Sequence, residues 1–398
     1  MKISNRAKKM PPSPIRKLVP YAIQAKKKGI QVYHLNIGQP DIETPQSFWN
    51  AVHSYPSKVL EYGNSQGQPE YREWLAKYYV QNNIDVTPEE LLITAGGSEA
   101  IMFAMLAVAD PGDNIIVFEP FYTNYNGYAI MTDIELIPIR TEPETGYHLP
   151  PANQIEQKIN SRTKAILICS PNNPTGTVLT KEEIETVAKI AEKHNLYVIS
   201  DEAYREFIYE GTHTSILHIP SLKERGIIVD SISKRFSACG ARVGTVVTKN
   251  SELMDTMIRM GQARLCPPTI GQYAAQAVLM QLDEKYFVQM ADEYRRRRDA
   301  TYDELMKIPG VLCKKPAGAF YIMAKLPVDD VESFAKFLLT DFSHEGKTVM
   351  VAPGPGFYAT PGLGNSEIRI AYVLEVEKLR DAMQILAKAI QAFKPNCA

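Results

Sequence analysis

Apolar and polar positions divide the chain into regions of different texture. From about residue 88 to 264, short apolar runs alternate with longer stretches of mixed polarity. Ile115-Ile-Val-Phe118, Ala165-Ile-Leu-Ile168, Leu196-Tyr-Val-Ile199 and Ile227-Ile-Val229 are continuous, brief and bounded by polar residues. Such runs predict strands buried on both faces. Between two of them, Lys181-Glu-Glu-Ile-Glu-Thr-Val-Ala-Lys-Ile-Ala-Glu-Lys193 carries its apolar side chains at helical spacing, with Thr180 placed as N-cap. Helices alternating with doubly buried strands predict an α/β fold built on a mostly parallel sheet. Residues 1–15 are basic and proline-rich and read as an arm. Helical spacing then runs from Ile15 to Lys28 and is closed by Gly29. After about residue 290 the texture changes again. A long charged helix over Glu284–Met306 leads to Pro316-Ala-Gly-Ala-Phe320-Tyr-Ile-Met-Ala and Ser366-Glu-Ile-Arg369-Ile-Ala-Tyr372. Strand-like pieces set among helices predict a smaller α+β unit.

Composition narrows the function classes. The 398 residues, 45% hydrophobic and 22% charged, suit a large domain plus a smaller one. The formal net charge of −1 gives no overall field that would draw the chain to nucleic acid or membrane. Arg295-Arg-Arg-Arg298 is the local exception, but Asp292, Glu293, Asp299 and Glu304 share its helix, so charge pairs along that helix are expected. The five cysteines (169, 239, 266, 313 and 397) form no Cys-x-x-Cys pair, which suggests neither a disulfide framework nor a zinc site, and favours a reducing compartment. The opening Met1-Lys-Ile-Ser-Asn-Arg lacks an apolar core of signal-peptide length. No uncharged apolar run reaches the roughly 18–20 residues of a membrane span. Cytoplasm is the expectation.

Polar chemistry gathers where the predicted strands end. Gly226-Ile-Ile-Val-Asp230 runs into Ser231-Ile-Ser-Lys234, and Gly240-Ala-Arg242-Val-Gly244 follows. A primary amine just past a strand can form a Schiff base with a carbonyl cofactor, while a neighbouring hydroxyl and guanidinium can hold a phosphate. Leu196-Tyr-Val-Ile-Ser-Asp201-Glu-Ala-Tyr204 is another strand ending in an acid. Ala165-Ile-Leu-Ile-Cys-Ser-Pro171-Asn-Asn173-Pro174-Thr-Gly176 ends in a polar turn. Leu91-Leu-Ile-Thr-Ala-Gly96-Gly97-Ser98-Glu99-Ala100 is a strand, a glycine turn and a helix start, where free backbone N–H groups favour a dianion. In an open α/β sheet the carboxyl ends of the strands line one crevice, so these segments can converge on one ligand.

The order Gly-Gly-Ser-Glu-Ala, Asn-Pro-Thr-Gly, Asp-Glu-Ala-Tyr, Ser-x-Ser-Lys, Arg-x-Gly resembles the fold-type I pyridoxal-phosphate aminotransferases of class I. The likeness runs from Asn36-Ile-Gly38-Gln-Pro40 to Glu367-Ile-Arg369-Ile. It implies a seven-stranded large domain over residues 46–290, a small α+β domain over 291–398, and an arm with part of the small domain over 1–45. It also implies pyridoxal 5′-phosphate as cofactor and an amino acid and a 2-oxo acid as substrates, reacting by ping-pong chemistry through a pyridoxamine form. Lys234 would be the Schiff-base lysine and proton carrier. Asp201 would keep the pyridine nitrogen protonated so that the ring accepts electrons. Tyr204 and Asn173 would reach the 3′-oxygen. Gly97, Ser98, Ser231 and Arg242 would cup the phosphate, with Ser233 a neighbour without an assigned task. Tyr122 would stack on the ring, with Phe121 and Tyr125 the competing aromatics. Arg369 would clamp the substrate α-carboxylate bidentately, and Gly38 would touch the same carboxylate through its backbone. Tyr62 would cross to a second subunit and touch its phosphate, which implies a two-fold homodimer.

The side-chain readers of aspartate-using relatives do not transfer. Six positions before Pro267-Pro268, where many carry an arginine, stands Gly261. Where another branch places a lysine after the Gly-Gly turn stands Ser98. Arg16, Lys17 or Arg264 could substitute, and Tyr21 or Tyr33 could line an apolar pocket instead. Aspartate with 2-oxoglutarate leads by overall resemblance; alanine, methionine-like and aromatic donors stay open. A carbon–sulfur β-lyase on the same fold is the rival reaction and would release pyruvate and ammonia without an oxo acid. An effector-sensing domain of a transcription factor would need a fused DNA-binding module, and only about 35 residues precede the first motif. A nicotinamide dehydrogenase would need a Gly-x-Gly-x-x-Gly turn that Gly96-Gly97-Ser98-Glu99 does not supply.

Overall fold

The apolar runs become strands in a computed structural model, which describes residues 1–283 and 285–393. Glu284, where the pattern starts the long helix, and Cys397 lie outside the described residues. In chain order the strands are β1 (Gln31–His34), β2 (Leu91–Thr94), β3 (Asn114–Glu119), β4 (Glu135–Arg140), β5 (Thr163–Cys169) and β6 (Tyr197–Asp201). They continue with β7 (Gly226–Ser231), β8 (Gly244–Val247), β9 (Tyr321–Lys325), β10 (Lys347–Met350), β11 (Ala352–Pro353) and β12 (Glu367–Ala371). The large sheet has seven strands in the order β2-β8-β7-β6-β5-β3-β4. Every pairing in it is parallel except those of β8, which runs against both neighbours.

Burial on both faces explains why these strands read as unbroken apolar runs. Ile115, Val117, Ala165, Leu167, Ile199, Ile227 and Val229 pack into one core. Their alternates Ile116, Ile166, Ile168, Val198 and Ile228 pack into another on the opposite side. Burying one such side chain fully is worth about 1.5–3 kcal/mol, so the sheet is a rigid platform for its strand ends. The helix Lys181–Lys193 covers one face with Ile184, Val187, Ala188, Ile190 and Ala191. Its start is capped reciprocally: Glu183 N–H donates to Thr180 Oγ1 at 3.2 Å, and Thr180 N–H donates to the Glu183 carboxylate at 2.7 Å.

A third core joins both ends of the chain. Leu18, Ala22, Ala25, Val32 and Leu35 pack with Phe320, Ile322, Phe334, Val349, Ile370, Leu379 and Leu386. β1 pairs with β10, and β9, β12 and β11 form a three-stranded antiparallel sheet.

Two local expectations are revised. The helix expected from Ile15 begins instead at Val19. Pro20 has no N–H to give the preceding turn and fits only the first turn of a helix. The four arginines do not simply lace an exposed helix face. Arg295 pairs with Asp292 at 2.8 Å and Arg296 with Glu293, both at the surface, as expected. Arg297 and Arg298 also pair along the helix as expected, with Glu293 and Asp299, but they are buried and in addition bind Asp41, Glu210 and the Pro316 carbonyl. Successive helical residues point about 100° apart, so four in a row cannot share one face. Among the described residues no helix is long and apolar enough to cross a membrane. Four cysteines, Cys169, Cys239, Cys266 and Cys313, are free.

Candidate active site

β7 delivers Lys234. The strand ends at Ser231, whose extended backbone and side chain cap a one-turn helix, Ile232–Arg235: Ser233 N–H donates to Ser231 Oγ at 3.1 Å. A single turn is not stable by itself. Here the residues flanking the lysine pin it. Arg235 is buried and binds Glu206 at 2.7 Å and Asp230 at 2.5 Å. Tyr79 Oη donates to Asp230 at 2.8 Å. Burial alone would raise the Asp230 pKa, but the Arg235 and Arg205 guanidiniums outweigh it and hold the carboxyl below its usual range. Lys234 Nζ itself donates to the Gly38 carbonyl at 2.8 Å.

β6 delivers Asp201. Burial pushes its pKa from 3.8 up to about 6, although Tyr125 Oη and the Ala203 N–H, donating at 2.7 and 3.2 Å, pull the other way. No cation is paired with this carboxylate among the described residues, so it is poised for a positively charged neighbour. Three residues on, the buried Tyr204 places its hydroxyl 2.8 Å from that of Tyr321.

A third group of residues forms a cradle for an anion. β2 turns at Gly96, with φ +87°, into the helix Gly97–Val108. That φ favours glycine, and the missing Cβ leaves room for Arg242, whose Nη2 would lie 2.3 Å from it. Arg242 leans on the Cys239 and Ala95 carbonyls at 3.0 and 3.4 Å. Ser231 Oγ donates to Ser233 Oγ at 2.8 Å beside it. Backbone N–H groups, hydroxyls and a guanidinium on one wall are the donor set a phosphate dianion needs.

β12 brings Arg369 from the third core. It is 1% exposed and has no carboxylate partner among the described residues. It donates to Asn173 Oδ1 at 2.9 Å and to the Asn36 carbonyl at 2.6 Å, while Nε has no partner. Burial lowers its pKa. A buried guanidinium without a carboxylate partner among the described residues is costly and calls for an anion.

A cavity of about 660 Å³ gathers Gly38, Gly97, Ser98, Tyr122, Asn173, Asp201, Tyr204, Ser231, Lys234, Arg242 and Arg369. That volume suits a cofactor-sized ligand with a small substrate. Of the three aromatics weighed for stacking, Tyr122 lines this cavity, whereas Phe121 and Tyr125 are buried in the core beside the sheet. The predicted residue that stands apart is Tyr62, which is 80% exposed on the surface. Sequence reasoning missed Tyr321 and Cys239, which also line the cavity. Tyr321 lies in a strand-like apolar run that reads as core, and Cys239 had no motif to mark it. An aldehyde for the lysine, a basic ring nitrogen for the acid and a phosphate for the cradle all find matching groups in one space.

Comparison with known proteins finds relatives over nearly the whole chain. A family model described as aminotransferase class I and II matches residues 30–386. The aspartate/prephenate aminotransferase of Thermus thermophilus is 32% identical, over 98% of this chain and 98% of its own. A solved structure of the Thermus thermophilus aspartate aminotransferase with maleate has a TM-score of 0.88 at 30% identity, covering 98% of this chain and 100% of that one. The alanine aminotransferase of Pyrococcus furiosus reaches a TM-score of 0.89 at 33% identity, with 98% and 100% covered.

Proposed function

This chain belongs to the class I and II aminotransferases, and we propose that the cavity around Lys234 is its active site. The enzyme depends on pyridoxal 5′-phosphate and moves an amino group from an L-amino acid to a 2-oxo acid. When bound, the cofactor supplies an aldehyde that takes up the amino group and a ring that receives the electron pair left at Cα. The observation that carries the assignment is the buried, counter-ion-free Arg369 in the same cavity as Lys234 and Asp201.

In this reading Lys234 Nζ would hold the cofactor through its aldehyde carbon, and the same amine, when free, would carry the proton between the substrate Cα and the cofactor's C4′. The Gly38 carbonyl, 2.8 Å from Nζ, would keep the free amine within the cavity. Asp201 keeps the proton on the ring nitrogen. Tyr204 and Asn173 address the 3′-oxygen, and Tyr122 covers the ring face and excludes water. Gly97, Ser98, Ser231 and Arg242 hold the phosphate. Arg369 fixes the substrate carboxylate and so orients the Cα–H bond. Gly38 lies beside it. Tyr62, exposed in one chain, is assigned to a second subunit's phosphate in a homodimer. The domain division is 1–45, 46–290 and 291–398, in keeping with a core that joins both chain ends, and the compartment is the cytoplasm.

For the substrate pair the proposal is two dicarboxylates, with aspartate as donor and 2-oxoglutarate as acceptor leading. Lys17 pairs with Glu332, and Arg264 pairs with Glu99 at 3.3 Å and donates to the Ile93 carbonyl at 3.0 Å. Arg16 lines the cavity, and no acid pairs with it among the described residues. Of the three candidate cations, it is the one left without an acid partner among the described residues, able to meet a side-chain carboxylate. Single-turnover mixing with each amino acid tests this, following loss of the cofactor's starting absorbance. Aspartate or glutamate should react fastest, and Arg16→Gln should slow those two about tenfold or more while sparing alanine. Fastest reaction with an apolar donor, unaffected by Arg16→Gln, would remove the dicarboxylate assignment.

A further inference from the structure

Tyr321 stands where the cofactor side and the substrate side of the cavity meet. It opens β9, and its hydroxyl lies 2.8 Å from that of Tyr204. Neither hydroxyl has another hydrogen-bond partner among the described residues. Two hydroxyls carry two protons, and only one can lie between them. The other must seek an acceptor elsewhere, and both residues line the same cavity. The ring of Tyr321 is equally engaged. The Arg369 guanidinium carbon sits 4.5 Å from its centroid, and Phe357 lies against the same guanidinium at 4.9 Å. A cation held against aromatic rings in a desolvated site is restrained in direction as well as stabilised. Gly38 completes the arrangement, because a Cβ there would fall 1.8 Å from Tyr321 Oη. The hydroxyl therefore occupies the space that glycine leaves open.

The geometry points to Tyr321 as a positioning residue with two separable tasks. Its hydroxyl donates to Tyr204 Oη, which leaves the Tyr204 proton aimed at the cofactor's 3′-oxygen. Its ring sets the plane of Arg369 for the substrate carboxylate. This rests on Tyr204 and Arg369 having the roles proposed above. Removing the donor makes Tyr204 a weaker hydrogen-bond donor, so negative charge on the 3′-oxygen is less well stabilised. The protonated form of the bound chromophore then persists to higher pH.

The test is a pH titration of the visible absorbance of cofactor-loaded protein, without substrate, for wild type, Tyr321→Phe, Tyr204→Phe and the double variant. Tyr321→Phe should raise the midpoint by about half a unit to one unit. Tyr204→Phe should raise it at least as far, and Tyr321→Phe should then add nothing. Tyr321→Leu, which also removes the ring, should raise the amino-acid KM several-fold, whereas Tyr321→Phe should leave KM near wild type. An unmoved midpoint in Tyr321→Phe, or a shift that persists in the Tyr204→Phe background, overturns the hydroxyl's role. Loss of bound cofactor from Tyr321→Phe overturns it too, by making the residue structural. An unmoved midpoint in Tyr204→Phe itself strikes the Tyr204 assignment instead. Equal KM values for the Phe and Leu variants overturn the ring's role.

Discussion

Asp201→Asn should stabilise the cofactor-free protein at neutral pH. Burial raises this carboxyl from 3.8 to about 6. At 1.36 kcal/mol per pH unit, the ionised form carries ~3 kcal/mol of strain. The sign follows from linkage. In the unfolded chain the group ionises near its ordinary value of about 3.9, while in the fold it stays protonated up to about 6. Over that window the folded state binds more protons, so its stability falls as pH rises, and the penalty is complete above about pH 6. Asparagine cannot ionise and escapes it. The packing cost of the change is small, since the Tyr125 hydroxyl can accept from the new amide as readily as it donates to the carboxylate at 2.7 Å. Urea unfolding of cofactor-stripped protein at pH 4.5, 6 and 8 is the assay. The variant's advantage should grow from under about 1 kcal/mol at pH 4.5 to ~2–3 kcal/mol at pH 8. Saturating cofactor should then stabilise wild type more than the variant, because the ring nitrogen's positive charge relieves the strain. An advantage that does not change with pH, or a variant less stable than wild type at pH 8, would refute the reasoning.

Two further outcomes follow from buried arginines with opposite surroundings. Arg369→Met should weaken amino-acid binding about 10- to 100-fold in the half-reaction while the cofactor's absorbance stays intact. It should leave the unfolding midpoint of the substrate-free protein unchanged or higher, since among the described residues no counter-ion meets the native guanidinium. Arg235→Ala should do the reverse to stability, costing about 3–5 kcal/mol by stranding the buried carboxylates of Asp230 and Glu206. Its deficit should shrink as pH falls through the carboxylate range and those groups take up protons; a deficit that holds at acid pH would contradict the network.

Much of this architecture is legible before any coordinates. Continuous apolar runs announced doubly buried strands, because burial on both faces removes the alternation a half-exposed strand would show. Thr180 announced a helix start, since capping is local. The cavity residues outside the core were legible through motifs at strand ends, where side-chain identity is set by chemistry instead of packing. What stayed hidden depends on contacts between distant segments. Tyr321 looks like any aromatic in a buried strand until Tyr204 is placed beside its hydroxyl, 117 residues away in sequence. The partners that pin the Lys234 turn, Glu206 and Tyr79, carry no local signal. The pairs of Arg297 and Arg298 with Glu293 and Asp299 were legible on their own helix, but their burial was not, because the further partners Asp41 and Glu210 lie on other elements. Pro20 was the one local signal that helical periodicity overrode.

The central claim is that one amine, at Lys234, carries the cofactor. Borohydride reduction of the loaded protein, followed by proteolysis and mass mapping, tests it most directly. The account predicts a single reduced adduct on the peptide containing Ser231-Ile-Ser-Lys234, absent from Lys234→Ala. An adduct on any other lysine, or unchanged labelling of Lys234→Ala, would contradict it.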